Sequence, residues 1–371
     1  MEIGWKLEEL GEISLLLILL AFLLVPYAAI IVFIFSLGRK LKLRKSYEYR
    51  PTVSIFLPTY NEAGFIEKKL ENLISQTYRP IEILVYDCST DATPTIVEEY
   101  MKRFPIIHLI RQPVRIGMAR TLNQAFKDEQ GEIFVKTDCD SLAISKDCIK
   151  EVVANFADDR VGGATGICIA DHGVEKYFRE FMTAIQIAET NIDSTIIAHA
   201  SSVVAFRSSL LEPVDAFSMA DDTEELVKIR KKGYKTVVDN SAVSKEEVPN
   251  EFRKRRLQKD RRSQGIIRVL FQNTSLLFNL KYGMFGFLIL PLEFFILVIS
   301  PILLIALGII TGTILYVIDP FLVIPLVAGI ALMFKYKSNL LSAIIDTQLS
   351  GLMGTIANLI RKDSSLWTKV R

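Results

Sequence analysis

The chain has 371 residues, 50% of them hydrophobic, with a mean hydropathy of +0.30, which excludes a disordered polymer and exceeds a single domain of about 150 residues. Its 44 basic and 42 acidic residues leave a net charge of +2, so no basic surface points to nucleic acid and no acidic excess marks a solvating tail. Cys88, Cys139, Cys148 and Cys168 form no C-x-x-C pair and, with three histidines, supply neither a zinc set nor a secreted disulfide framework.

The apolar excess sits in two places. Ile13 to Gly38 carries no charge, and the run between Lys281 and Lys335 contains only Glu293 and Asp319. A bilayer core needs roughly 20 apolar residues per helix, so the first run predicts one span and the second has room for two. Gly38-Arg39-Lys40 follows the first run where a signal peptide would carry a small-residue cleavage site, which marks a retained anchor. Basic residues after that anchor (Arg39, Lys40, Lys42, Arg44) and before the second run (Arg253 to Arg256) place the block between them on the cytosolic side. The expectation is a multi-pass protein of the cell membrane, with an anchor over 1–38, a cytosolic domain over 39–265 and a membrane region over 266–371. Glu293, beside Pro291 early in its span, is expected to line a path near the cytosolic mouth. The tail from Leu340 to Ile360 contains Asp346, Gln348 and Asn358 and fits either a third span or a helix lying in the interface.

In the central block, short β-rich runs alternate with helical periodicity. Strands are predicted at Thr52 to Leu57, Ile81 to Tyr86, Ile106 to Ile110, Glu132 to Thr137 and Ser202 to Phe206. Helices are predicted at Glu62 to Gln76, Thr93 to Arg103, Gly117 to Asp128 and Ser145 to Phe156. This alternation predicts a doubly wound α/β sheet with its ligand at the carboxyl ends of the strands. Three such ends carry carboxylates: Pro58-Thr59-Tyr60-Asn61-Glu62, Asp87-Cys88-Ser89-Thr90-Asp91 and Asp138-Cys139-Asp140. No glycine-rich phosphate loop accompanies them, so the charge of a bound diphosphate needs another counterion. Asp138 and Asp140 straddle one residue at a strand end, and their oxygens suit Mg²⁺ or Mn²⁺.

These motifs, in this order, resemble the inverting, membrane-bound family 2 glycosyltransferases, whose catalytic domain has the GT-A (Rossmann-like) fold. Pro58 to Glu62 resembles the family's uridine-binding opening, Val85 to Asp91 its V-D-D-G-S-T-D, and Asp138-Cys139-Asp140 its metal-binding D-x-D. Asp221-Asp222 matches its E-D, and Gln258, Arg261 and Gly265 its Q-x-x-R-W-x-x-G, with Arg262 in the place of Trp. The resemblance covers Pro51 to Gly265. It implies Asp222 as catalytic base and Asp138 with Asp140 as holders of Mg²⁺ or Mn²⁺. Pro58, Thr59, Asn61, Glu62, Asp87, Asp138, Gln258, Arg261 and Arg262 are implied as the donor site. Met118 stands where relatives carry a lysine, and Arg115 or Arg120 is the nearby substitute.

The implied activity is transfer of a sugar from a nucleotide sugar, a UDP-sugar by the motif, to a lipid-linked or growing glycan acceptor, as in polysaccharide biosynthesis by cellulose, hyaluronan and poly-N-acetylglucosamine synthases. Three or four spans are few for a private export channel, which implies short products or a partner subunit. Two other readings stand beside it: a polyprenyl-phosphate glycosyltransferase making a single lipid-linked sugar, and a catalytically idle scaffold that binds nucleotide sugar.

Overall fold

The computed structural model describes residues 14, 16–21, 23–24, 28, 42–170, 173–196, 203–246, 252–325, 327–328 and 340–360; the anchor expected over Ile13 to Gly38 lies largely outside them. From β1 (Val53–Thr59) the chain runs through α1 (Ile66–Ile74), β2 (Ile81–Asp87), α2 (Thr93–Arg103), β3 (Ile107–Arg111), α3 (Met118–Asp128) and β4 (Ile133–Lys136). It continues through β5 (Ser141–Ala143), α4 (Cys148–Ala154), β6 (Val161–Ile169), α5 (Gly173–Ile192), β7 (Val204–Arg207) and α6 (Asp221–Lys231). Last come β8 (Lys235–Glu246), α7 (Phe252–Gln272), a long apolar helix α8 (Phe285–Ile318) and α9 (Leu340–Leu359).

The strands form one mixed sheet in the order β3-β2-β1-β4-β7-β6-β8-β5. Its β3-β2-β1-β4 half is parallel, as the alternation of strand and helix predicts. β7 pairs antiparallel with β4 and with β6, and β5 antiparallel with β8. Alternate residues of β1 feed opposite faces: Val53, Ile55 and Leu57 pack with α1, α2 and α4, whereas Phe56 joins Phe134, Phe206 and the apolar sides of α3 and α6. The period-2 alternation thus fills two cores at once.

β6 and β8 are absent from the sequence expectation. Val161-Gly162-Gly163-Ala164-Thr165-Gly166 reads as loop because glycine punctuates strands. The structure gives the reason for the glycines: a Cβ on Gly162 or Gly163 would stand 2.6–2.7 Å from side chains of Ile229, Leu210 or Leu226, so α6 lies closer to the sheet than any other residue would allow.

The second expected membrane run forms α8, 34 residues long and, among the described residues, the one helix long and apolar enough to cross a membrane. It has two parts. Phe285, Ile289, Leu290, Leu297 and Val298 are buried against Ile267 and Leu270 of α7, so the first turns belong to the globular domain. Ser300–Ile318, 19 residues, spans about 28 Å at about 1.5 Å per residue, and Ile302, Ile305, Ile309 and Tyr316 stand exposed. Glu293 falls in the docked part: it is 2% exposed and hydrogen-bonded to Glu189 of α5, so the expected position on a path near a membrane mouth is corrected. The tail helix α9 packs on α7: Asp346 holds Arg256 at 2.9 Å and Lys259 at 2.6 Å, and Asn358 donates to the Gln264 carbonyl at 2.9 Å. Gln348 Nε2 donates to the Ile296 carbonyl at 3.3 Å, within a π-helical turn of α8.

Candidate active site

The carboxyl ends of β1, β2 and β4 share one edge of the sheet, since Thr59 pairs in register with Asp87 and Phe56 with both Leu84 and Lys136. Above that edge lies a cleft of about 240 Å³. Its lining includes Pro58, Thr59 and Glu62 after β1, Asp138 and Asp140 after β4, Asp221 and Asp222 at the start of α6, and Gln258, Arg261 and Arg262 of α7. Residues 258, 261, 262 and 266 recur at helical spacing, so α7 presents a single face to it. Gly265 makes that docking close: a Cβ there would meet the Met219 backbone at 2.7 Å.

Asn61 and Asp87, both expected in the donor site, do not line the cleft. Asp87 is fully buried beneath it and accepts hydrogen bonds from Thr59 Oγ1 at 2.8 Å, the Ser89 N–H at 3.2 Å, the Ser89 hydroxyl, and Arg111. Asn61, with φ of 54°, braces the neighbouring loop: its N–H donates to Ser89 Oγ at 2.7 Å and its Oδ1 accepts from the Thr90 N–H at 2.9 Å. Of the two arginines near Met118, Arg115 lines the cleft, stacked 4.3 Å over the Tyr60 ring, whereas Arg120 stacks on Phe217.

The electrostatic centre is a lysine that no motif singles out. Lys136, buried at the end of β4, stands 2.5 Å from Asp221 and 3.7 Å from Asp222. Burial alone would lower its pKa, but Asp221 and Asp222 hold it above the ordinary value. Asp222 is raised, first by burial and then by Asp221, with Lys136 opposing. Its place in the first turn of α6 favours negative charge through the helix dipole. Arg261 is lowered by burial and by Arg262 to about 10 and so stays cationic at neutral pH. The signal for Lys136 is in the sequence in retrospect: a lysine closing an otherwise apolar strand, two residues before Asp138, needs a buried anion to face.

Asp138 Oδ1 is buried with no hydrogen-bond partner, the condition of an oxygen that suits a cation. Among the described residues no three His, Cys, Asp or Glu side chains group as a metal site. A two-carboxylate site fits a hard divalent cation that keeps positions for phosphate oxygens and water.

A family model described as "Glycosyl transferase family 2" matches residues 54–207, and one described as "Glycosyl transferase family group 2" matches residues 133–334. The chain belongs to glycosyl transferase family group 2. The glycosyltransferase has the GT-A-like α/β fold of family 2. It is similar to a probable glycosyltransferase, YdaM of Bacillus subtilis, at 23% identity over 256 residues, 65% of this chain and 61% of that protein. It is 30% identical over 176 residues to the poly(ribitol-phosphate) beta-N-acetylglucosaminyltransferase TarS of Staphylococcus aureus, 44% of this chain and 29% of that one. The chain thus spans less than two thirds of these relatives' lengths. The mannosyltransferase PcManGT from Pyrobaculum calidifontis, solved with GDP-Man and Mn²⁺, superposes with a TM-score of 0.80 at 26% identity, covering 94% of this chain and 99% of that one.

Proposed function

We propose that this glycosyltransferase is an inverting hexosyltransferase, with Asp222 as its general base, acting at the cytosolic face of a membrane on a lipid-linked or glycan acceptor. The observation that carries this reading is the convergence, in one cleft, of Asp138 and Asp140, Asp222, and Arg261 from three separate stretches of chain. Lys136 makes its closer ion pair with Asp221, which leaves Asp222 as the carboxylate for the acceptor hydroxyl. Its raised pKa brings it nearer the operating pH, as a base needs. Arg261, cationic and capable of a bidentate fork, faces the diphosphate. Glu62, Pro58 and Thr59 border the nucleoside, while Asn61 and Asp87 shape that border from below. Asp138 and Asp140 would hold Mg²⁺ or Mn²⁺, which when bound neutralises charge growing on the leaving diphosphate. The acceptor hydroxyl attacks the anomeric carbon opposite the departing diphosphate as Asp222 takes its proton, so an α-linked donor gives a β product.

The donor is a nucleotide sugar. The opening motif favours uridine, whereas the solved neighbour was captured with GDP-Man, so the test runs both nucleotides. Detergent-solubilised protein, given a panel of UDP- and GDP-sugars with Mn²⁺, is expected to release nucleoside diphosphate from one donor, and Asp138→Asn is expected to lose that release. Release that is equal in the variant, or independent of added metal, overturns the assignment of the D-x-D. For the membrane part of the reading, support comes from the exposed apolar length of α8.

A further inference from the structure

At the end of β8, outside every motif, Glu246 is 3% exposed and holds polar partners from two helices. Its carboxylate accepts from Arg179 Nη2 of α5 at 2.6 Å, from Arg262 Nη2 at 2.9 Å and from Gln258 Nε2 at 3.3 Å. Its backbone pairs in register with Ser141 of β5, the residue after Asp140. One residue therefore ties, by backbone and side chain, the strand that follows the D-x-D to two of the α7 residues that line the same cleft.

A buried ion triad is a poor way to gain stability alone, because desolvation consumes most of the attraction and apolar residues of similar volume do as well. Its better-attested use is to fix geometry. Here the geometry fixed is that of the cleft wall, since Gln258 and Arg262 have long side chains with several rotamers that one carboxylate pins. We propose that Glu246 is a positioning residue for donor binding: with Arg179 behind it, it sets Arg262 and Gln258 so that α7 meets the nucleotide diphosphate already ordered. The inference rests on the nucleotide-sugar reading of the cleft.

The test is calorimetric binding of GDP and of UDP, each with Mn²⁺, to the full chain in detergent, beside donor KM and kcat. Glu246→Gln is expected to weaken nucleotide binding and raise donor KM by about tenfold with a smaller change in kcat. Arg262→Gln should do the same, and the double variant should be no weaker than Arg262→Gln. A merely structural role would lower the active fraction, and so kcat, without moving KM or the affinity of the folded protein. Should Glu246→Gln fail to fold with two arginines left uncompensated, Arg179→Met with Glu246→Met removes opposite charges together and should show the same tenfold loss. Wild-type affinity in a folded Glu246 variant, or additive effects in the double variant, overturns the inference. If the wild-type protein binds neither nucleotide, the donor reading of the cleft falls, and this inference with it.

Discussion

Asp222 and Asp221 are neighbours in sequence but not in circumstance, and the difference comes from one buried lysine. Asp222→Asn keeps the size and hydrogen-bonding shape of the side chain while removing its ability to take a proton. It is expected to lower transfer by about 10² or more with nucleoside diphosphate binding nearly unchanged; parallel loss of both, measured by turnover and calorimetry, counts against the base. A second residue-scale consequence concerns Glu225 of α6, fully buried and pushed by burial up to about 7. Its folded pKa lies above its unfolded value, so the folded state holds the extra proton and stability falls as pH rises from about 4.5 to about 7. Glu225→Gln, which still accepts from the Glu212 N–H, is expected to raise the melting temperature at pH 8, by up to about 3 kcal/mol of stability, and to change little at pH 4. Melting curves at the two pH values check this, and equal shifts at both would refute it. Asp138 and Asp140 stand out in the sequence by type and spacing at a strand end, and Asp222 and Arg261 by the family resemblance; the fold brings all four to one cleft. Lys136 signals in the sequence only that it needs a buried anion and Glu246 signals nothing, because a buried counter-charge has no spacing rule and only the fold says what it faces.

At the scale of elements, α7 carries the cleft wall and is held from two sides. Glu175 of α5 lies 3.9 Å from Lys259 and Glu246 of β8 pairs with Arg262 at 2.9 Å, with Arg179 bracing both carboxylates. From the other side, α9 contributes Asp346, which bridges Arg256 and Lys259. Close backbone approach completes the docking at Gly265 against Met219 and at Gly354 against Ser263 and Gln264. Gly265→Ala forces the helix off the loop that precedes Asp221, and a cost of about 1–3 kcal/mol is expected for overpacking, with nucleotide affinity falling in parallel. Unchanged melting and affinity would show that the loop yields freely. The parallel half of the sheet was legible from β-rich runs punctuated by helices, whereas Gly162, Gly163 and Gly166 hid β6 behind a loop-like composition. The role of α9 was open for a related reason: Asp346, Gln348 and Asn358 signal partners, and whether these are lipid headgroups or protein cannot be read from one helix alone.

For the whole molecule, the catalytic sheet and the apolar helix form a continuous unit. Asp193 at the end of α5 accepts from the Phe285 N–H at 3.2 Å and pairs with Lys235 at 2.5 Å and Arg230 at 3.3 Å. Arg230 in turn donates to the Tyr282 carbonyl at 3.1 Å and lies over the Phe285 ring. It stands on α6, whose other end carries Asp222, so the helix bearing the proposed base is fastened to the entry of α8. Replacing exposed Ile302, Ile305 and Ile309 with lysine is expected to move the protein from the carbonate-resistant membrane fraction toward the soluble one, since each charge at a span's centre costs about 3 kcal/mol. Retention of the triple variant in the membrane would deny α8 the anchoring part.

Inverting transfer with Asp222 as base is decided by the anomeric configuration of the product. Proton NMR of the glycoside formed from an α-linked nucleotide sugar should show a β linkage with the wild-type enzyme and no product with Asp222→Asn. An α-linked product, or a β product formed undiminished by Asp222→Asn, would contradict it.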